Sequence, residues 1–131
     1  MEHKFSAGTI ERDGNILIIR YVKEAPVTLS DMKEITKIRE QIFGNSNYAS
    51  LIDLRGKVEI TKDAKEYVTK HPAIVKLRVA EVLLVNSFAE KLSIHTYVRF
   101  FRFKDNVTVM TEEDNAMHWL NSEFDKFKAK A

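Results

Sequence analysis

The chain has no cysteine, only 2 prolines and 4 glycines among its 131 residues, and no long apolar run. Without cysteine it has no disulfides, thiol nucleophiles or cysteine-ligated metals. No segment approaches the ~20 apolar residues that span a bilayer, and the first residues lack the apolar core of a signal peptide. We therefore expect a soluble, cytoplasmic protein.

A strong charge of one sign is also lacking. Lysine and arginine number 21 against 19 acidic residues, a formal net charge of +2, and 44% of the residues are hydrophobic. This balance does not favour nucleic-acid binding, and the length suits one domain. We predict a single domain over residues 1–131, with an ordered core over about 4–121 and a polar C-terminal tail over 122–131.

Strand and helix signals alternate along the chain. Residues 4–12 and 15–22 flank Asp13-Gly14, a hairpin turn signal, and Thr28 with Asp31 predicts a capped helix that closes at Gly44. Further strands are expected at 48–54, 78–85 and 107–110, and further helices from Thr61 to His71, from Asn86 or Ser87 to about residue 104, and after Thr111 and Asp114. Trp119 of the last helix should be buried.

This order of elements resembles the STAS domain superfamily, and most closely its SpoIIAA-like family, which is related to the lipid-carrying CRAL-TRIO domains. The resemblance rests on segments 51–56 (LIDLRG), 78–85 (RVAEVLLV) and 109–113 (VMTEE), with Ala116, Trp119 and Leu120 after them. It implies an α/β fold, a right-handed superhelix of β-α units. Its mixed sheet would have about five strands, with the first antiparallel in a hairpin and the rest parallel, and about four helices.

Many STAS proteins are regulators that are switched by a phosphorylated serine at the start of the second helix. The resemblance places that turn at Thr61, Lys62 and Asp63, where both serines are missing. We therefore predict that the chain lacks the serine phosphoswitch. Asp63 either complements the helix dipole or mimics the phosphorylated state.

Polar residues follow several of the predicted parallel strands, at the sheet edge where α/β proteins bind ligands. This rim contains Asp53, Arg55, Asn86, Ser87, Thr111 and Glu112. The rim is either a ligand or partner site or a set of helix caps and loop contacts.

Segment 99–104 is the densest basic and aromatic cluster of the chain. Its Arg99, Phe100, Arg102 and Phe103 are expected to form an interaction surface, because three phenylalanines cannot all face inward from one helix. A subunit contact, a membrane contact and the mouth of an apolar pocket all remain open.

Two charged residues, Arg20 and Glu81, interrupt apolar strands. A buried pair is costly, so both are expected on a partly wet sheet face or in a subunit contact. The histidines lack ligand spacing, and we predict no metal site, no cofactor and no catalytic residue.

Two functions follow from these features. The favoured one is a non-enzymatic, STAS-like interaction module that forms a homodimer and binds an unknown protein partner. The alternative is a domain that binds a small apolar molecule or lipid between the sheet and the third helix and touches a membrane surface.

Overall fold

The computed structural model describes residues 2–22, 26–56, 58–71, 76–90 and 106–130. Within these ranges the chain forms a six-stranded sheet with helices on both faces. The elements are β1 (Glu2–Phe5), β2 (Gly8–Asp13), β3 (Ile16–Tyr21), α1 (Leu29–Phe43), β4 (Tyr48–Asp53), α2 (Lys62–Lys70), β5 (Arg78–Leu84), β6 (Val107–Met110) and α3 (Glu113–Lys130).

The strands lie in the sheet in the same order as in the chain. β1, β2 and β3 pair antiparallel, and β3 to β6 pair parallel. The mixed sheet with an antiparallel start is therefore as predicted, and the parallel strands end at one edge of the sheet.

The strand predicted over residues 4–12 is wrong in one respect, because it is two strands, β1 and β2. They are separated at Ser6 and Ala7, and the Val22 N–H donates to the Ala7 carbonyl at 2.6 Å. Gly8 permits this arrangement, because a Cβ there would collide with the carbonyl oxygen of Arg20. The sheet consequently has six strands rather than about five.

The two sheet faces have separate cores, as the period-2 alternation of strands requires. On one face, Leu17 and Ile19 pack with α1 and α2. On the other face, Ile16, Ile18 and Leu51 pack with α3. Alternate residues of one strand therefore serve two different layers.

Helix α1 begins and ends as its sequence predicts. Thr28 and Asp31 form a reciprocal capping box, and Gly44 follows the helix with a positive φ of 58°. The Ser6 hydroxyl also donates to Asp31. Asp31 therefore joins the start of α1 to the turn between β1 and β2.

The end of the chain departs from its prediction. Helix α3 begins at Glu113, and the Ala116 N–H bonds to the Glu112 carbonyl, so Glu112 and not the predicted Thr111 is in the N-cap position. Residues 122–130, predicted as part of a polar tail, continue the helix, since Phe124 packs into the core and holds it on the sheet. Trp119, predicted to be buried, is partly buried.

None of the helices in the described ranges is long and apolar enough to cross a membrane.

Candidate functional site

Four charged side chains meet at the carboxyl ends of the parallel strands. Arg20 of β3 lies beside Asp53 of β4 in the strand register. The Arg20 guanidinium donates to Asp53 at 2.8 Å and to both carboxylate oxygens of Glu113 at 2.8 and 3.0 Å. Arg55 donates to Asp53 at 2.9 and 3.0 Å and to Glu113 at 3.1 Å. We call Arg20, Asp53, Arg55 and Glu113 the rim network.

The rim network keeps both of its carboxylates ionised. Burial alone raises the pKa of Asp53, but the hydrogen bonds from Arg55 and Arg20 outweigh it and hold that pKa below its ordinary value of 3.8. The hydrogen bonds from Arg20 lower the pKa of Glu113 from its ordinary 4.5. Each charge is therefore neutralised within the network, which joins β3, β4 and the start of α3.

The predicted rim residues at the ends of β4 and β5 make contacts within this edge of the sheet. Asp53 and Arg55 belong to the rim network, and the Asn86 side chain donates to the carbonyl of Arg55. The Ser87 hydroxyl accepts the Glu90 N–H at 3.2 Å, so Ser87 caps the helical turn that follows it.

Thr111 and Glu112 are exposed, and the next residue, Glu113, makes the contact with the arginines. Arg20 and Glu113 were not predicted for the rim. For Arg20 a usable signal existed, because its position near the end of a strand parallel to β4 brings it beside Asp53.

Thr61, Lys62 and Asp63, where the resemblance places the serine switch, make the contacts that are usual at the start of a helix. Thr61 is in the N-cap position, but its side chain caps no amide and donates to Asp63 at 2.5 Å instead. The Asp63 carboxylate accepts the Ala64 N–H at 2.9 Å. Lys62 is exposed.

The predicted interaction surface of Arg99, Phe100, Arg102 and Phe103 lies outside the described residues. Over the described ranges, no group of three or more metal-binding side chains could hold an ion.

A cavity of about 550 Å³ lies on the sheet face that carries α1 and α2. Its wall is mostly apolar. The described residues that line it are Leu17, Ile19, Tyr21, Met32, Ile35, Thr36, Tyr48, Ser50, Ile52, Leu54, Val58, Glu59, Ile60, Lys65, Val68, Glu81 and Leu83. The predicted third helix lies mostly outside the described residues, so the described walls are the sheet, α1, α2 and the segment before α2.

A buried polar cluster forms part of this wall. The Ser50 hydroxyl donates to Glu81 at 2.9 Å, and Arg78 Nη1 lies 3.3 Å from the other Glu81 oxygen. The expectation that Glu81 lies on a partly wet sheet face is wrong, because its neighbours on β4 and β5 supply the partners that a buried carboxylate needs. Arg20, in contrast, is partly exposed.

One further buried charge lies next to the cavity. The guanidinium of Arg39 on α1 is 5.3 Å from the ring centre of Tyr48, and Arg39 is only 2% exposed. Among the described residues, its Nε and Nη1 atoms have no hydrogen-bond partner. Burial raises the pKa of Tyr48 to about 12, partly offset by Arg39, so the phenol remains protonated.

Comparison with known proteins agrees with this architecture. An uncharacterised protein of the DUF3478 family from Shewanella loihica, described as having a SpoIIAA-like fold, superposes with a TM-score of 0.60 at 16% identity. The match covers 85% of this chain and 90% of that one. No curated protein matches the chain.

The protein is therefore an α/β domain with a SpoIIAA-like fold, as the sequence predicted. Residues 9–123 match the family model DUF7793, a domain of unknown function, and the chain belongs to that family.

Proposed function

We propose that this domain binds a small, largely apolar molecule in the cavity between the sheet and helices α1 and α2, without chemical conversion. The cavity carries the proposal. Its volume of about 550 Å³ is within the roughly 300–1,000 Å³ typical of small-molecule sites. Most of its walls are aliphatic or aromatic, so transfer of an apolar ligand from water into it is favourable.

The polar groups of the wall support selective binding. Ligand sites combine an apolar lining with a few placed polar groups that orient the ligand. Ser50, Glu81 and Thr36 supply such groups from β4, β5 and α1.

The interaction module that the sequence favoured stays a prediction. It relied on the rim and on segment 99–104. The charged groups of the rim network bind one another, and the segment lies outside the described residues. The cavity therefore favours the alternative, and the homodimer and membrane contact also stay predictions.

Titration with the neutral fluorescent dye Nile red tests the proposal. We expect saturable binding with blue-shifted emission for the wild type. Val68→Trp places a large ring at a cavity-lining position of α2 and should weaken binding by roughly tenfold or more.

Lys70→Trp is the matched control, because it adds the same ring at an exposed position of the same helix. Its affinity should equal that of the wild type. Absence of saturable binding, or equal affinity of the Val68→Trp protein, would contradict the proposal, provided that circular dichroism shows each variant folded.

A further inference from the structure

The cavity wall contains a carboxylate on an interior strand of the sheet. Glu81 is on β5, which pairs with β4 on one side and β6 on the other, and its side chain faces the cavity with Leu83. A buried carboxylate requires donors, and Glu81 receives one hydrogen bond from Ser50 and an ion pair from Arg78.

Among the described residues, these two partners leave part of the hydrogen-bonding capacity of the Glu81 carboxylate unused. An ionised carboxylate offers about four lone-pair sites on its two oxygens. The Glu81 side chain remains 11% exposed, whereas that of Arg78 is 4% exposed, and of these two only Glu81 lines the cavity. A purely apolar ligand that covered this carboxylate would leave its remaining acceptor sites desolvated and unpaired, which is unfavourable.

The charges around the cavity determine which kind of ligand head group can donate a hydrogen bond to Glu81 at low cost. An anionic head group beside Glu81 would meet a like charge, and Glu59 adds a second carboxylate to the lining. A cationic head group would lose its hydration beside a carboxylate that Arg78 already neutralises. An uncharged hydroxyl avoids both costs and donates one hydrogen bond.

The two other cations that the described residues place at or beside the cavity do not change this preference for an uncharged head group. Arg39 stacks on Tyr48 and is not among the described residues that line the cavity. Lys65 lines the cavity and already has a partner.

We infer that the ligand is an uncharged amphipathic molecule with an aliphatic body and a hydroxyl head, and that Glu81 accepts the hydrogen bond from this hydroxyl. The inference rests on the proposed function, since it concerns the occupant of the same cavity. Glu81 is then the residue that determines head-group specificity, and Ser50 orients its carboxylate.

Displacement of Nile red by three ligands of similar length tests the inference. Dodecanol has a neutral donor, methyl undecyl ether lacks the donor, and dodecanoate is anionic. For the wild type we expect dodecanol to displace the dye at a roughly tenfold lower concentration than either of the others, because only dodecanol satisfies Glu81 without repulsion.

The double variant Arg78→Met with Glu81→Leu removes both members of the ion pair and leaves no orphaned charge. It should retain Nile red binding and displace the dye about equally well with dodecanol and the ether. Ser50→Ala in the wild-type background should reduce the preference for dodecanol without abolishing it.

The outcomes separate the two proposals. Failure of the wild type to bind Nile red overturns the proposed function. Dye binding with equal displacement by dodecanol and the ether, or with stronger displacement by dodecanoate, overturns the head-group inference alone. A preference for dodecanol that survives in the double variant overturns the role of Glu81, and if that variant does not fold, the wild-type ranking and Ser50→Ala still decide.

Discussion

At the residue scale, two glycines are required by the backbone positions that they occupy. Gly8 is one of them, because the backbone of β3 passes so close that no side chain fits. Gly14 has a different role, since its φ of 61° is required by the turn between β2 and β3 and it has open space around it.

Gly8→Ala should therefore lower the free energy of unfolding by more than about 2 kcal/mol, because the added Cβ forces backbone movement between β2 and β3. Gly14→Asn is the control and should cost less than about 1 kcal/mol, since asparagine tolerates positive φ. Urea unfolding measures both. Equal losses would mean that the close approach at Gly8 is easily relieved.

Arg39 shows the opposite situation, in which a buried polar group is poorly satisfied. Two nitrogens of the buried Arg39 guanidinium have no hydrogen-bond partner in the part of the chain that the structure describes. Its position over the Tyr48 ring and its 3.7 Å approach to Glu40 offset the resulting desolvation cost only partly.

We expect Arg39→Met to leave the thermal midpoint unchanged or higher, because methionine fills similar space without a charge. Arg39→Ala should lower it, since packing is then lost. Calorimetry distinguishes the cases. A fall of more than about 1 kcal/mol in stability for the methionine variant would indicate a compensating interaction of the guanidinium.

Helix α3 illustrates what decides the length of an element. Its last turns are rich in charged residues, which is why the sequence predicted a tail. Phe124 is only 6% exposed and packs with Leu120 against the sheet, whereas Phe127 is 38% exposed. One buried ring thus holds the end of the helix on the molecule.

Phe124→Ala should cost about 3 kcal/mol or more of unfolding free energy, because it opens a space in the core between α3 and the sheet. Phe127→Ala on the same helix should cost less than about 1 kcal/mol. The comparison uses denaturant midpoints, and similar losses for both rings would show that residues 122–130 are only loosely docked.

At the scale of the whole molecule, the rim network joins three elements, because its ion pairs link β3 and the end of β4 to the start of α3. Both carboxylates have pKa values below their ordinary range in the folded state. Stability from such groups is fully present above the unfolded pKa and is lost as pH falls through the folded pKa. The network should therefore stabilise the protein at neutral pH and not in acid.

Glu113→Gln should lower the stability at pH ~7 by about 1 kcal/mol, a modest value because the network is partly exposed to solvent. The difference from the wild type should shrink as the pH falls below the ordinary 4.5 of a glutamate. Glu112→Gln, one residue earlier and exposed, is the control and should have little effect. A loss at Glu113 that does not depend on pH would rule out the electrostatic explanation.

The sequence by itself determined the features that depend on near neighbours in the chain. The Thr28–Asp31 capping box, the Gly44 helix end and the turn at Gly14 follow from local spacing. These interactions join residues only a few positions apart, so a pattern is enough to predict them.

Only the tertiary structure decided the site. Arg20 and Glu113 are 93 residues apart, and Ser50 and Glu81 are 31 apart, so their contacts depend on the register of whole strands rather than on any local pattern. The cavity likewise depends on how far α1 and α2 stand from the sheet. That distance results from the volumes of many side chains packed together, which the order of residues along the chain does not display.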